Sequence, residues 1–309
     1  MVKKSRDNKT AGNIPLLIEV ETKGLIKSPL NYIGGKYKIL KQILPYFPTE
    51  INSFVDLFAG GCNVGINVTA KKIYFNDNLT FLVEMYRAFL NQEINEVISY
   101  IEARVKEFDL SLTNEDGYKR LRAIYNLEKK PLDLFVLIAF TFNHQIRFNN
   151  SHEFNNPFGR ERSSFNLKMK ENLISFLNEL HNKEIVLSSM DFDKFDFTGL
   201  NSSDFVYCDP PYLITTGTYN DGKRGFTGWS EKEEKLLLEI LDNLNKKDIK
   251  FALSNVLVHK GKSNDTLKEW VNKNQYYVNY LDYHYANSNY QTRVRDKKAS
   301  VEVLITNYK

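Results

Sequence analysis

The chain has 309 residues, 42% hydrophobic and 26% charged, with a net charge of +4, a composition that fits two globular domains or one α/β domain with a large insertion. Its two cysteines, Cys62 and Cys208, exclude a disulfide framework, and the absence of any apolar run of bilayer length excludes a helical membrane span. The mild positive charge is compatible with a polyanionic partner but does not by itself demand one.

The opening "MVKKSRDNKT" is basic with no apolar segment behind it. Residues 1–28 are therefore expected to be a tail rather than a signal peptide, and the protein cytoplasmic. Next, "NYIGGKYKIL" sets Gly34 and Gly35 before Lys36, a flexible backbone beside a cation, though turns also produce this pattern. The β-rich run Phe54 to Phe58 leads into "DLFAGGCNVG". Its glycines 60, 61 and 65 let the backbone turn tightly and approach a ligand where a helix is expected to begin. That loop lacks the Lys-Ser/Thr of a P-loop and the spacing of a dinucleotide fingerprint, which disfavours ATP hydrolysis and NAD chemistry. A plain strand-to-helix turn is the other reading. The run Ile73 to Phe75 ends in "IYFNDN", where Asp77 either accepts ribose hydroxyls or caps the helix expected over "TFLVEMYRAFL".

From residue 80 to 182 the pattern becomes helical, as in "PLDLFVLIAFTF", and then polar and turn-rich in "NHQIRFNNSHEFNNPFGRERSSFN". This predicts a helical insertion carrying a hairpin-like loop, placed between the second and third sheet strands. Between Gln145 and Arg162, the cations Arg147, Arg160 and Arg162 interleave with Phe148, Phe154 and Phe158 amid asparagines. Such a mixture suits phosphates and bases together, or is a solvated loop. Further strands are expected at Ile185 to Ser188, Phe205 to Cys208, Phe251 to Leu253 and Val301 to Ile305. The helix over "EKEEKLLLEILDNL" opens on Ser230 and Glu233 at capping-box spacing. Strands alternating with helices imply a mostly parallel sheet with helices on both faces and ligands beyond its carboxyl edge.

In "VYCDPPYLITTG" the paired prolines must end the strand, leaving Asp209 at its mouth. The following "LITTGTYNDGKRGFTGW" reads as a lid or a mobile surface loop, with Lys223 and Arg224 in reach of phosphate in the first case. The five histidines are scattered, so no metal site is expected.

Taken in order, Gly34-Gly35-Lys36, Asp56-Leu57-Phe58-Ala59-Gly60-Gly61, Asp77 and Asp209-Pro210-Pro211-Tyr212 resemble the motifs of the alpha-type adenine-N6 DNA methyltransferases, which include the GATC-methylating DNA adenine methylases. The resemblance runs from about Pro29 to the C-terminus. It implies a Rossmann-like, S-adenosylmethionine-dependent α/β domain with a seven-stranded, mostly parallel sheet over residues 29–79 and 183–309. Residues 80–182 would be a mainly helical target-recognition domain.

By the same resemblance Gly34, Gly35, Lys36, Asp56 and Gly60 lie around the methionine end of the cofactor, and Tyr32 and Phe58 are further cofactor-binding candidates. Asp77 is similar to the ribose acceptor, and Asp191 and Phe192 of "SSMDF" to the adenine contacts. Two departures stand out: Cys62 occupies the place of a second glycine, and Tyr32 that of a tryptophan. "RFNNSHEFNNPFGR" is similar to the DNA-contacting hairpin, which makes Arg147, Asn149, Asn155, Asn156, Pro157 and Arg160, with Arg162 just beyond, candidates for double-stranded DNA.

Asp209, Pro210, Pro211 and Tyr212 would be catalytic. An adenine amine is a poor nucleophile because its lone pair is delocalised into the ring. Acceptors on its two hydrogens release that pair, and an aromatic ring can stack on a base taken out of the duplex. The expected activity is therefore site-specific DNA adenine-N6 methylation, with a restriction endonuclease as an expected partner. Methylation of cytosine N4, RNA adenine or a protein amide, and a non-catalytic DNA-binding role, are the alternatives.

Overall fold

A computed structural model of the chain describes residues 24–215, 229–282 and 300–309. Its strands are β1 (Ser53–Asp56), β2 (Lys72–Asn76), β3 (Ile185–Ser188), β4 (Phe205–Cys208), β5 (Lys250–His259), β6 (Lys262–Ser263), β7 (Tyr277–Leu281) and β8 (Ser300–Thr306). They form one sheet in the order β3-β2-β1-β4-β5-β8-β7, with β6 hairpinned onto β5. β1 to β5 run parallel, while β8 and β7 close the edge antiparallel. This is the mostly parallel α/β sheet expected from the alternation of strands and helices, with β6 and β7 added. β7 escapes sequence reading because it is an edge strand whose Tyr277 and Tyr280 face water, so its apolar alternation is weak.

β1 stops at Asp56, two residues short of the expected end. The Leu57 N–H donates to Tyr207 O on β4 at 3.0 Å, but the Ala59 N–H turns to Asn76 O on β2 at 2.8 Å, so the chain has already left the ladder. The strand order reverses direction between β1 and β4. Chains leaving their carboxyl ends diverge at such a point and open a crevice for a ligand.

Successive side chains of a strand face opposite sides of a sheet. Phe54, Phe205, Tyr207 and Leu304 accordingly enter one core, and Val55, Val206, Phe251 and Ile305 the other. The second core is roofed by α7 (Glu231–Asn245) and α8 (Asp265–Asn274). α7 carries the expected capping box between Ser230 and Glu233.

The first core continues into helices inserted between β2 and β3: α2 (Thr80–Asn91), α3 (Ile94–Glu107), α4 (Glu115–Glu128), α5 (Pro131–Phe140) and α6 (Leu167–His181). A four-residue helix, α1 (Leu40–Ile43), packs its Leu40 and Ile43 on the same side. Every residue of α5 from Leu132 to Phe140 is buried, as its all-round apolar sequence requires. One charge sits inside it, Asp133, fully buried and gripped by Arg104 Nε at 2.8 Å, Arg104 Nη2 at 2.7 Å and the Tyr100 hydroxyl at 3.0 Å. Among the described residues no helix is long and apolar enough to cross a membrane.

Candidate active site

The site forms where β1, β2 and β4 end side by side. Beyond β1, Gly60 turns at φ +46 and its N–H donates to Asp77 Oδ2 at 2.9 Å. A side chain on Gly60 would begin 2.8 Å from the Tyr32 ring, so both its conformation and its packing demand glycine. The Leu79 N–H donates to Asp77 Oδ1 at 2.9 Å. Asp77 thus clamps the loop to the end of β2, and burial pushes its pKa up against those two donors. It is not the N-cap of α2, a place held by Leu79. Instead it stands as a rigid acceptor with lone pairs left over for hydroxyls.

The helix expected after the glycine loop shrinks to a three-residue 3₁₀ turn, Gly65–Asn67. Its role is local, because the Gly65 N–H donates to Asp56 Oδ2 at 3.2 Å. Asp56 is 2% exposed. Burial raises its pKa to about 8, opposed by the Gly65 bond and reinforced by the charges of Asp209 and Asp77. Its protonated form is therefore favoured far more than that of a free aspartate.

Cys62 adopts φ +55, the left-handed conformation that glycine takes without cost. The backbone therefore demands here what the resemblance leads one to expect in sequence. Cys62→Gly is predicted to be near neutral for stability, since about 1 kcal/mol of relieved strain offsets lost burial, whereas Cys62→Val should destabilise by about 2 kcal/mol. Urea unfolding of the two variants checks this.

The opposite wall is β4. Asp209 leaves it with one carboxylate oxygen, Oδ1, held by Lys36 Nζ at 2.8 Å and by the Tyr212 hydroxyl at 3.2 Å. Burial raises the Asp209 pKa, and Lys36 and Tyr212 oppose that rise. Lys36 is 3% exposed, donates to Gly34 O at 2.8 Å and lies 5.0 Å from the centre of the Tyr212 ring. Gly34 makes this return of the chain at φ +79, and the Gly35 N–H closes the turn onto Tyr32 O at 3.1 Å. The Gly-Gly-Lys and Asp-Pro-Pro-Tyr motifs, far apart in the chain, thus meet. Pro210 is buried and Pro211 partly so, which fixes the backbone that carries Asp209 and Tyr212.

Phe58 and Phe192 are partly buried and lie 5.5 Å apart with their rings tilted by 32°, with Trp229 completing the cluster at 5.6 and 5.3 Å. Asp191 is exposed and accepts from Asn78 Nδ2 at 3.2 Å. Sequence reasoning missed Trp229, whose only signal is an aromatic one residue ahead of a capping box. It also missed Asn76, whose amide binds Leu57 O, Met190 O, the Ser188 hydroxyl and the Met190 N–H, tying the β1, β2 and β3 exits together. An asparagine ending a strand carries no periodic signal. Lys223 and Arg224 lie outside the described residues.

The hairpin of the insertion is closed by bridges Thr141↔Phe158 and Phe148↔Phe154. Its aromatics point inward, against the expectation that they alternate with cations on one binding surface. Phe148 stacks on Phe81 at 4.7 Å, Phe154 meets the edge of Tyr125, and Phe158 lies against Tyr118. Apolar rings beside α4 gain more from burial than from water.

Asn149 and Asn156 build the hairpin. Asn149 Oδ1 accepts the N–H groups of Ser151 and Glu153, and buried Asn156 donates to Gln145 O at 2.8 Å. Arg147 and Asn155 pair at 3.1 Å on the exposed side, near exposed Pro157. Arg160 pairs with Glu115 at 2.9 Å, and Arg162 lies 4.6 Å above the Phe142 ring, itself 38% exposed. A cleft of about 650 Å³, lined by Asn31, Asn143, His144, Gln145, Arg160 and Arg162 among others, joins this hairpin to the segment before Gly34.

The D12 class N6 adenine-specific DNA methyltransferase family model matches residues 32–290. The chain is 54% identical over 287 residues to "Modification methylase StsI" of Streptococcus sanguinis, covering 93% of this chain and 44% of that protein. It is 52% identical over 288 residues to "Type II methyltransferase M.FokI" of Planomicrobium okeanokoites, again 93% of this chain and 44% of the relative. A "DNA adenine methylase" of Haemophilus influenzae is 26% identical over 238 residues, 73% of this chain and 78% of that protein. The chain therefore spans less than half the length of the two more similar relatives. With its Asp-Pro-Pro-Tyr strand end, its glycine loop and a match over most of its length, the chain belongs to the D12 class N6 adenine-specific DNA methyltransferase family.

Proposed function

We propose that this chain transfers a methyl group from S-adenosylmethionine to N6 of an adenine turned out of duplex DNA, as the modification activity of a restriction system. The observation that carries this reading is the meeting of Lys36, Asp209 and Tyr212 at the mouth of β4, beside the crevice at the β1–β4 switch point.

The donor set fits the cofactor. Asp77 offers a fixed carboxylate for ribose hydroxyls, and the Phe58–Phe192 pair offers an apolar aromatic surface for a purine. When bound, S-adenosylmethionine supplies an electrophilic methyl on a sulfonium.

The residues of the chain do the rest. Lys36 and Tyr212 hold Asp209 by Oδ1, and its other oxygen and the Pro210 carbonyl would accept the two hydrogens of the adenine amine. Accepting those hydrogens localises the nitrogen lone pair and stabilises positive charge as the new bond forms. The Tyr212 ring stacks on the base, and the rigid Pro-Pro backbone limits reorganisation. Residues 80–182 serve as the target-recognition domain in this reading. Exposed Arg147, Arg160 and Arg162 meet phosphates or guanine edges, and the cleft at Asn31 and Gln145 receives the DNA flank. Glu115 must release Arg160 for that contact.

The test is transfer of labelled methyl from S-adenosylmethionine to unmethylated duplex DNA, with base analysis and site mapping. N6-methyladenine at one short motif is the expected result. Label on cytosine N4, or on RNA or protein but not DNA, overturns it.

A further inference from the structure

β8 holds a carboxylate where its sequence pattern calls for an apolar residue. In "SVEVLIT" Val303 and Ile305 pack into the core under α7 and α8, while Leu304 enters the opposite core. Glu302 therefore shares the face of Leu304, and it is 2% exposed. A buried carboxylate is costly unless it is paired and hydrogen-bonded.

Its partners belong to the catalytic cluster. Glu302 Oε1 accepts the Tyr212 hydroxyl at 2.9 Å and lies 3.7 Å from Lys36 Nζ. The Tyr212 hydroxyl has one hydrogen but two carboxylates in reach, Glu302 at 2.9 Å and Asp209 at 3.2 Å. Lys36 likewise faces both acids, at 2.8 Å for Asp209 and 3.7 Å for Glu302. Each donor that Asp209 uses to stay in place also weakens it as an acceptor, and Glu302 competes for both.

We propose that Glu302 is a positioning residue of the methyl-transfer site: it takes the Tyr212 hydroxyl hydrogen and shares the Lys36 charge, so that Asp209 keeps its acceptor strength for the adenine amine and the Tyr212 ring keeps its angle. This inference rests on the activity proposed above. Without Glu302, the Tyr212 hydroxyl loses the nearer of these two carboxylates, and both donors turn onto the group that must also bind substrate. The strand-to-strand placement explains how so distant a residue reaches the site. β8 pairs with β5, which pairs with β4, and the Asp-Pro-Pro-Tyr segment folds back across their ends.

The experiment is a double-mutant cycle on the full chain, read as single-turnover methyl transfer to duplex DNA, with dissociation constants for cofactor and DNA and a melting temperature for each variant. Glu302→Ala is expected to slow transfer about 30-fold and Tyr212→Phe about 10-fold, with the double variant no slower than Glu302→Ala. Both dissociation constants should stay within about threefold, because a positioning residue acts on the chemical step. Glu302→Gln keeps an acceptor oxygen without the charge and should recover part of the loss. It also carries the test if Glu302→Ala does not fold. Transfer at the wild-type rate in a folded Glu302 variant, or losses that simply multiply in the double variant, overturns the proposal. Absence of methyl transfer by the wild-type chain overturns the activity itself, and this inference with it.

Discussion

Asp209→Ala is expected to lower single-turnover methyl transfer by about 10³-fold while leaving DNA affinity nearly unchanged. The carboxylate is only 18% exposed between Lys36 and Tyr212, so in the proposed reaction its removal takes away the acceptor and leaves the arginines proposed to meet DNA in place. The same geometry sets the pH profile. Burial raises the Asp209 pKa above the ordinary carboxylate value, Lys36 and Tyr212 only partly offsetting it. Only the ionised form accepts strongly from the amine. Activity should therefore be full above the raised pKa and fall as pH drops through it, with an acid limb higher than that of a free aspartate. Rates of the wild type across pH, at saturating cofactor and DNA, check the limb, and gel-shift titration of Asp209→Ala checks the binding. A variant that loses DNA affinity in proportion to rate would make Asp209 a structural residue instead.

Arg104→Ala should be the most damaging single change in the insertion. Asp133 is fully buried in α5, and Arg104 supplies two of its hydrogen bonds and its only counter-charge among the described ion pairs. Removing the guanidinium leaves a buried charge uncompensated, a loss of about 3–5 kcal/mol. Asp133→Leu, which removes the charge itself, should cost less even though Arg104 loses a partner, because Arg104 is 12% exposed and also pairs with Glu107 at 2.8 Å. Urea unfolding of both variants, followed by far-ultraviolet circular dichroism, gives the comparison. The order of the two losses is the result to watch. Because the core of the insertion is continuous with one sheet face, unfolding should remain a single transition.

Much of the fold was legible in the chain. The runs at β1 to β5 and at β8 are short, β-branched or aromatic, and separated by helical periods, which dictates a mostly parallel sheet. α7 announced itself through its capping box. β7 was not legible because two of its five residues, both tyrosines, face water at the sheet edge, and the glycine loop did not disclose that it opens onto a mere 3₁₀ turn. The hairpin was legible in place but not in orientation. Its phenylalanines and arginines alternate in sequence, and only packing against α4 and Phe81 sends the rings inward and leaves the cations outside.

The sequence by itself determined the chemistry on offer: an aspartate fixed by two prolines, a glycine loop, a carboxylate at the end of the second strand and a basic hairpin. Motif order and residue type carry that information because they follow from local backbone constraints. Only the tertiary structure decided what those groups touch. It brought Lys36 against Asp209, set Glu302 behind Tyr212, placed Asp56 out of water and gave Asn76 the task of tying the strand exits together. The physical reason is the β1–β4 switch point. Strand pairing there joins segments remote in the chain, and burial at their ends raises the pKa values of Asp56, Asp77 and Asp209.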